Sequence, residues 1–469
     1  MITPFSHLTT AQLDRFFAAS LPPVANPSAA FADRPALSSV RAQYRQQPFV
    51  VSDNVSDSFF AKCYVASQRA VFHPSLCRVP DEKELHARLD AKQPRDYDDI
   101  FATVDQRRFL YHPDRTAVRT VDELGADLDT DYDNVRTVAI AVTEHDLRSS
   151  LIVSDTPVVY MRNTRQHGFQ AIVNVRASFN HTGRISNVTR VVTVTKGFGR
   201  PCEVHFVRPR DLVPIHIVLP YSNRPRRLAA FLSMLDTYFR ATRSDFLHII
   251  ICTTEQEKAF VIAKGRKHKQ LTSARLTVIS SKGDAKNSFS RAVAVRDAAK
   301  NVPRDEIMFV SDVDMRMRGE VFENCRTNTM KGSQVWFPVM FSLYPYGKSL
   351  SSRDGMWRRS SYGMACMYRS DFDKVGGFGG HEERRFQGWG SEDVILYNQF
   401  RDNPDYAVLR ALEPGLLHQW HSKECVRNKH YKDCMRTVYM TIGSQEAVAE
   451  LMADAKVDYS RLTKGALPL

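Results

Sequence analysis

The sequence has no Cys-x-x-Cys pair, no apolar run long enough to cross a bilayer and no N-terminal stretch with the apolar core of a secretory leader. The first absence argues against a cysteine-built zinc cluster. The other two give a chain with no visible membrane anchor, although a trimmed N-terminus would read the same way. Aromatic runs of the RNA-recognition type, zinc-finger spacings and long Lys/Arg tracts are also missing. Nucleic acid is therefore not an expected partner.

What is present is an ordinary globular composition. Of 469 residues, 43% are hydrophobic and 25% charged, which supports a buried core and, at this length, about two or three domains. The 65 Lys and Arg outnumber the 52 Asp and Glu, for a net charge of +13. Such a surplus suits an anionic partner such as a membrane surface, a sugar nucleotide or a uronic acid polymer. The even count of eight cysteines permits disulfides, and Cys425 and Cys434 are close enough to bridge a short loop. Cys252, inside an apolar run, is expected to be a buried thiol. N-glycosylation tripeptides begin at Asn54, Asn180 and Asn187, the last two in a polar stretch suited to exposure.

Residues 1–60 read as an irregular stem or linker, with Pro22-Pro23 and an Ala/Ser/Pro-rich run at Asn26–Ser39. Residues 61–205 read as a smaller β-rich or α+β region of unknown role. Its β-rich stretches are Thr137–Thr143, Ser149–Met161, Gln170–Ser178 and Arg190–Val194. From 206 to 445 the rhythm changes. Apolar strands are expected at Val213–Leu219, Phe246–Cys252, Leu276–Ser280 and Glu306–Val310, with amphipathic helices between them. That alternation predicts an α/β fold with a mostly parallel sheet flanked by helices. Ligands of such sheets bind at the carboxyl ends of the strands. Residues 446–469 read as a C-terminal tail.

Four segments carry chemistry, and each falls at such a strand end or in a loop. Asp312-Val313-Asp314 follows an apolar strand; if extended, it aims both carboxylates to one side, where they can hold a divalent cation. Read alone, it is equally a solvated acidic turn. Gly388-Trp389-Gly390-Ser391-Glu392-Asp393 opens a helix whose dipole favours the two acids. One of them is placed to accept a proton from an acceptor hydroxyl, with Trp389 stacking on a sugar face. His418-Gln419-Trp420-His421 offers two imidazoles to complete a metal site begun by Asp314, although a lone His is more often structural. Pro220-Tyr221-Ser222-Asn223-Arg224 ends the first strand, and Arg224 offers a forked donor to phosphate. Ser288-Phe289-Ser290-Arg291 is a weaker signal that a helix cap explains.

Taken in order, Pro-x-x-Asn-Arg, Phe-Ser-Arg, Asp-Val-Asp, Gly-Trp-Gly-x-Glu-Asp and His-x-x-His resemble the glycosyltransferase family of the β1,4-galactosyltransferases and chondroitin N-acetylgalactosaminyltransferases. The chondroitin group is the nearer match. It rests on Tyr362–Phe372, Gly376-Gly377-Phe378, Gly388–Val394 and His418–Cys425 followed by Cys434. The resemblance covers Val213 to Gly443, and the segment before 205 carries none. It implies a GT-A fold, a UDP-sugar donor, Mn²⁺ or another divalent cation, and inversion at the anomeric carbon. Asp314 and His421 match the family's metal ligands, with His418 where the galactosyltransferases use Met. Asp393 matches the catalytic base, and Glu392 binds the acceptor sugar beside it, as do Trp389 and Gly390. Pro220, Tyr221 and Arg224 match the uridine and phosphate pocket, and Arg291, Asp312 and Val313 complete the donor site. Ser391 departs from the family's glycine.

The implied reaction moves a hexosamine, GalNAc from UDP-GalNAc, onto an acidic glycan ending in glucuronic acid, such as chondroitin. Alternatives are another UDP-sugar donor or a non-catalytic chondroitin-polymerising partner. The resemblance also implies residence in the Golgi lumen and leaves room for a homo- or hetero-oligomer. Lys348, Arg353, Arg358 and Arg359 form a basic region able to attract an acidic acceptor.

Overall fold

The structure is a computed structural model. It describes residues 100–444 apart from 106–107, 113–118, 121–125, 165–167, 182, 197–201, 210–212, 243–245, 282–288, 346, 352, 379–391, 422–430 and 442. The expected stem, the C-terminal tail, Cys425 and the Gly388–Ser391 loop lie outside the described residues.

The N-terminal part is an antiparallel sheet backed by one long helix. Strands β1 (Ala102–Asp105), β2 (Phe109–Tyr111) and β3 (Arg119–Thr120) precede helix α1 (Ala126–Leu147). Then come β4 (Leu151–Thr164), β5 (Gly168–His181), β6 (Arg184–Lys196) and β7 (Cys202–Val207), in the sheet order β3-β2-β1-β4-β5-β6-β7. The stretch Thr137–Thr143 is helical, against the β expectation. Its β-branched residues are locally strand-like, but Val135, Val138, Ala139 and Val142 fall at helical spacing and are all buried against the sheet. Burial of that stripe outweighs a propensity difference worth only tenths of a kcal/mol per residue, roughly. Asn180 and Asn187 are exposed on the β5–β6 hairpin.

The second part runs β8 (Ile215–Pro220), α2 (Pro225–Thr242), β9 (Leu247–Thr253), α3 (Glu255–Gly265), β10 (Leu276–Ser280), α4 (Arg291–Ala299) and β11 (Ile307–Val310). After β11 come β12 (Met315–Met317), α5 (Glu320–Thr327), β13 (Gln334–Trp336), β14 (Val339–Leu343), β15 (Gly355–Trp357) and β16 (Ala365–Tyr368). Helices α6 (Arg369–Lys374) and α7 (Glu392–Arg401), strands β17 (Ala407–Leu409) and β18 (Leu412–His418), and helix α8 (Tyr431–Met440) complete it.

The main sheet has the order β10-β9-β8-β11-β16-β13-β17. All its strands run one way except β16, which is antiparallel to both β11 and β13. This is the expected mostly parallel α/β sheet. Alternate side chains feed two cores, as the period of two requires. Ile215, Ile217, Leu219, Ile307 and Phe309 pack on one face with the apolar side of α2. Val218, Ile250, Met308 and Val310 pack on the other with the small residues of α4 and the aromatic residues of α7. A smaller sheet, β12-β18-β14-β15, lies beside the main one and carries the far wall of the site.

The antiparallel sheet is not a separate lobe. One face buries α1, while Val158, Tyr160, Ile172 and Val191 join the core of the main sheet. Phe101 bridges to Ala411, and the Thr103 hydroxyl donates to the Leu412 carbonyl at 2.5 Å. The Asn328 amide donates to the Tyr160 hydroxyl at 2.8 Å. A disulfide joins Cys325 of α5 to Cys366 of β16. Cys434 is also disulfide-bonded, and Cys252 is a buried free thiol whose pKa burial pushes up to about 12.

Candidate active site

The site forms where β8 and β11 end, between the main and smaller sheets. Past β11 the chain does not stay extended. The Met315 amide donates to the Asp312 carbonyl at 3.2 Å, closing a turn over Asp312–Met315. This corrects the expectation that both carboxylates share one side. The turn gives Asp312 and Asp314 different partners, and Val313 between them is buried in the core.

Asp314 faces the β8–α2 loop and the end of β18. Its carboxylate is ion-paired with Arg224, lies 3.6 Å from Arg227 Nε and lies 3.7 Å from His421 Nε2. It is 3% exposed, and its Oδ1 has no hydrogen-bond partner. Burial raises the Asp314 pKa, against the pull of Arg224 and His421. Ligand atoms of Asp314, His418 and His421 all lie within 4.8 Å of one another. One carboxylate and two imidazoles, with an orphaned buried oxygen among them, fit a divalent transition metal.

Strand register explains how His418 arrives there: it pairs with Met315 on one side and Ser342 on the other. The Ser342 hydroxyl is 3.0 Å from His418 Nδ1. Such a contact orients the ring for ligation through its other nitrogen. Arg224, Arg227, Asp314 and His421 line a cleft of about 320 Å³ at the N-terminus of α2. Asn223, with φ of 51°, turns the chain into that helix, and its amide donates to Glu257 at 2.7 Å. Tyr221 is 1% exposed and Pro220 is the last residue of β8, so both shape the floor of this loop.

The second cluster centres on Arg291. Its Nε donates to Asp312 at 3.0 Å, an NH2 group donates to the Gly363 carbonyl at 2.8 Å, and Glu392 lies 3.7 Å from its other terminus. Burial works against this charge, but Asp312, Glu392 and Asp393 outweigh it and raise its pKa. Glu392 is itself buried, and burial raises its pKa against Arg291. Asp393 is only half-buried, on the first turn of α7, where the helix dipole favours its charge. Gly363 packs between these groups: a Cβ there would meet Arg291 at 3.4 Å, Asp393 at 3.7 Å and Asp312 at 4.0 Å.

The structure thus brings together Asp312, Asp314, Arg224, Arg291, Glu392, Asp393, His418 and His421 from elements spread over two hundred residues. Trp389 and Gly390 lie outside the described residues. Sequence reasoning did not single out Arg227, Ser342 or Gly363. Arg227 stands one helical turn past Asn223, and its guanidinium reaches both Gln419 and the Trp420 carbonyl. Its place on the amphipathic α2 was a signal for it; nothing local marked Ser342.

The mostly parallel α/β sheet, with an acidic turn after β11 and a carboxylate-imidazole cluster beside it, is the architecture expected from the sequence. The family model for chondroitin N-acetylgalactosaminyltransferase matches residues 102–448, and the chain belongs to that family. The match starts in β1, so it takes in the antiparallel sheet for which the sequence alone carried no resemblance.

Human chondroitin sulfate synthase 3 is 29% identical over 257 residues, covering 50% of this chain and 28% of the relative. Mouse chondroitin sulfate N-acetylgalactosaminyltransferase 2 is 27% identical over 271 residues, covering 52% of this chain and 47% of the relative. The matches thus span less than half the length of either relative. A Drosophila β1,4-galactosyltransferase 7 mutant, solved with manganese, UDP-Gal and xylobiose, has 14% identity and a TM-score of 0.29, covering 46% of this chain and 78% of that one. A likeness of that size speaks to neither site nor substrate.

Proposed function

We propose that this chain is an inverting glycosyltransferase that moves a hexosamine, GalNAc from UDP-GalNAc, onto a glycan ending in glucuronic acid. The observation that carries this reading is a metal-type cluster of Asp314, His418 and His421 with, next to it through Asp312, a second cluster in which Arg291, Glu392 and Asp393 meet around Gly363. Asp314, His418 and His421 would hold Mn²⁺ or a similar cation, which when bound neutralises the donor diphosphate. Arg224 and Arg227 add donors for phosphate oxygens on the same side. Arg291 holds Asp312 and Glu392 in place and draws the Gly363 carbonyl against them.

Asp393 then takes the proton of the acceptor hydroxyl as its oxygen attacks the anomeric carbon. The new C–O bond forms opposite the breaking bond to phosphate, and UDP leaves with the electron pair. That single displacement inverts the anomeric centre. Glu392 is too buried to be the base, and its pairing with Arg291 makes it a positioning residue. Residence in the Golgi lumen is part of the reading, and a buried disulfide suits such an oxidising compartment. No helix among the described residues is long and apolar enough to cross a membrane.

The test is UDP release by the purified chain against a panel of UDP-sugars, with a glucuronic acid-ended acceptor, with and without Mn²⁺. Mn²⁺-dependent turnover on one donor is the expected result. UDP binding without turnover on any donor would overturn the enzymatic reading in favour of a non-catalytic role.

A further inference from the structure

Arg358 follows β15 directly. It is half-buried, yet among the described residues its guanidinium makes no hydrogen bond and no ion pair. The neighbouring charge that favours its protonated form is Asp393, while burial works against that form. A half-buried cation with no hydrogen-bonded counter-ion is costly and is normally paired.

The segment that carries it is held in place from both ends. The Arg358 amide donates to the Met340 carbonyl of β14 at 3.0 Å. Arg410, itself 3% exposed, donates to the carbonyls of Arg359 at 2.6 Å and Ser361 at 3.3 Å. Its guanidinium lies 4.3 Å from the ring centroid of Tyr362. Tyr362 stacks on Tyr397 of α7 with ring centroids 4.2 Å apart. Gly363, at the end of the segment, is bound by Arg291. The segment is therefore clamped to the helix that begins with Glu392 and Asp393. Arg358 is thus a half-buried cation on a segment fixed against the start of that helix, where the Gly363 position meets Asp393.

We propose that Arg358 receives a carboxylate on the acceptor sugar, next to the hydroxyl whose proton passes to Asp393. This rests on the transferase reading above. A planar guanidinium matches a carboxylate with two parallel hydrogen bonds. A uronic acid is the sugar class that sets a carboxylate on the ring carbon beside a reactive hydroxyl. The donor phosphates have Arg224 and Arg227 beside Asp314, so Arg358 is left for the acceptor. Recognition of an acidic acceptor then depends on one cation beside the base, and not on the wider basic region of Lys348 and Arg353.

The experiment uses the full chain with Mn²⁺ and UDP. It compares a disaccharide ending in glucuronic acid with the same disaccharide after reduction of its carboxyl to a hydroxymethyl group. Calorimetry measures their affinities, and steady-state kinetics measure their KM and kcat. The native chain is expected to favour the acid by about 10- to 100-fold, the range of a charge-assisted hydrogen-bonded pair. Arg358→Met, which keeps the aliphatic stem, should abolish that preference by raising KM for the acid alone. Its UDP affinity, its hydrolysis of donor by water and its Tm should not fall. Arg358→Lys should keep part of the preference.

Retention of the preference in Arg358→Met would overturn the proposal. So would weakened UDP binding in that variant, which would make Arg358 a phosphate ligand. A native chain that binds UDP but not the acid in preference would overturn it while leaving the donor site intact. Failure of the native chain to bind UDP at all would sink the transferase reading beneath it.

Discussion

At the scale of single residues, the division of labour between adjacent acids follows from their surroundings. Glu392 and Asp393 are neighbours on one helical turn, but one is buried against Arg291 and the other is half-buried beside Gly363. Asp393→Asn should therefore cut kcat by about 10²- to 10⁴-fold, the usual worth of a general base. UDP-dependent thermal stabilisation should survive in that variant, because the donor contacts lie elsewhere; its loss would mean that Asp393 holds the donor. Asp314→Asn should remove the Mn²⁺-dependent rise in Tm, since Asp314 is the one carboxylate in the cluster with His418 and His421. An undiminished Mn²⁺ response would place the metal elsewhere.

Gly363 is the third residue with a sharp expectation. Gly363→Val should lower kcat/KM more than Gly363→Ala, because added carbon fills the gap between Arg291 and Asp393. Circular dichroism and Tm would show whether either variant also disturbs the fold.

At the scale of elements, the site depends on how β11, β16 and β18 are held. Cys325 and Cys366 are fully buried and tie α5 to β16 across 41 residues of chain. Replacing both with Ala should cost about 2–4 kcal/mol in denaturant unfolding. Equal stability of the native chain with and without reductant would contradict this. The helix α1 shows why local propensity misleads here. Its Thr-Val-Ala-Ile-Ala-Val-Thr run reads as strand because most of its residues are β-branched. A long antiparallel sheet needs one apolar cover, and only the helical spacing of Val135, Val138 and Val142 supplies it.

At the scale of the whole molecule, the antiparallel sheet and the mostly parallel sheet share one core. We propose that the described residues unfold as a unit, so that calorimetry of this chain shows one transition for both sheets. Two separable transitions would mean that the N-terminal sheet is an independent domain. Glu413, on β18 near this junction, is 2% exposed and accepts hydrogen bonds from Asn324 at 2.8 Å and the Gly415 amide at 2.9 Å. Burial pushes its pKa from 4.5 up to about 7. A carboxyl whose folded pKa is raised stabilises the fold when protonated. That contribution is full below about pH 4.5 and is lost as pH rises through about 7. Glu413→Gln should therefore flatten the fall in Tm between about pH 4.5 and 7, an effect on the order of a few kcal/mol. An unchanged slope in the variant would mean that Glu413 is not the group responsible.

The local code of this chain was sufficient for its second half. Alternation of apolar strands with amphipathic helices is a short-range signal, and it placed β8 through β11 within a few residues of where they lie. The chemistry-bearing acids and imidazoles were legible for the same reason: Asp312, Asp314, Glu392, Asp393, His418 and His421 sit in short motifs at element ends. Their grouping was not legible. Asp312 and Asp314 look like a pair in sequence, but a backbone turn gives one to Arg291 and the other to Arg224 and His421. Ser342 carries no local mark, because what matters about it is the strand packed opposite, and the helix pattern that shows Arg227 does not show what its guanidinium meets. The unpaired state of Arg358 is also a property of its surroundings, since a charge becomes costly only when the fold removes its water and supplies no partner. The sequence by itself determined which groups the protein has and which strand ends bear them. Only tertiary packing decided which of them meet, which are buried, and that the antiparallel sheet closes the same core.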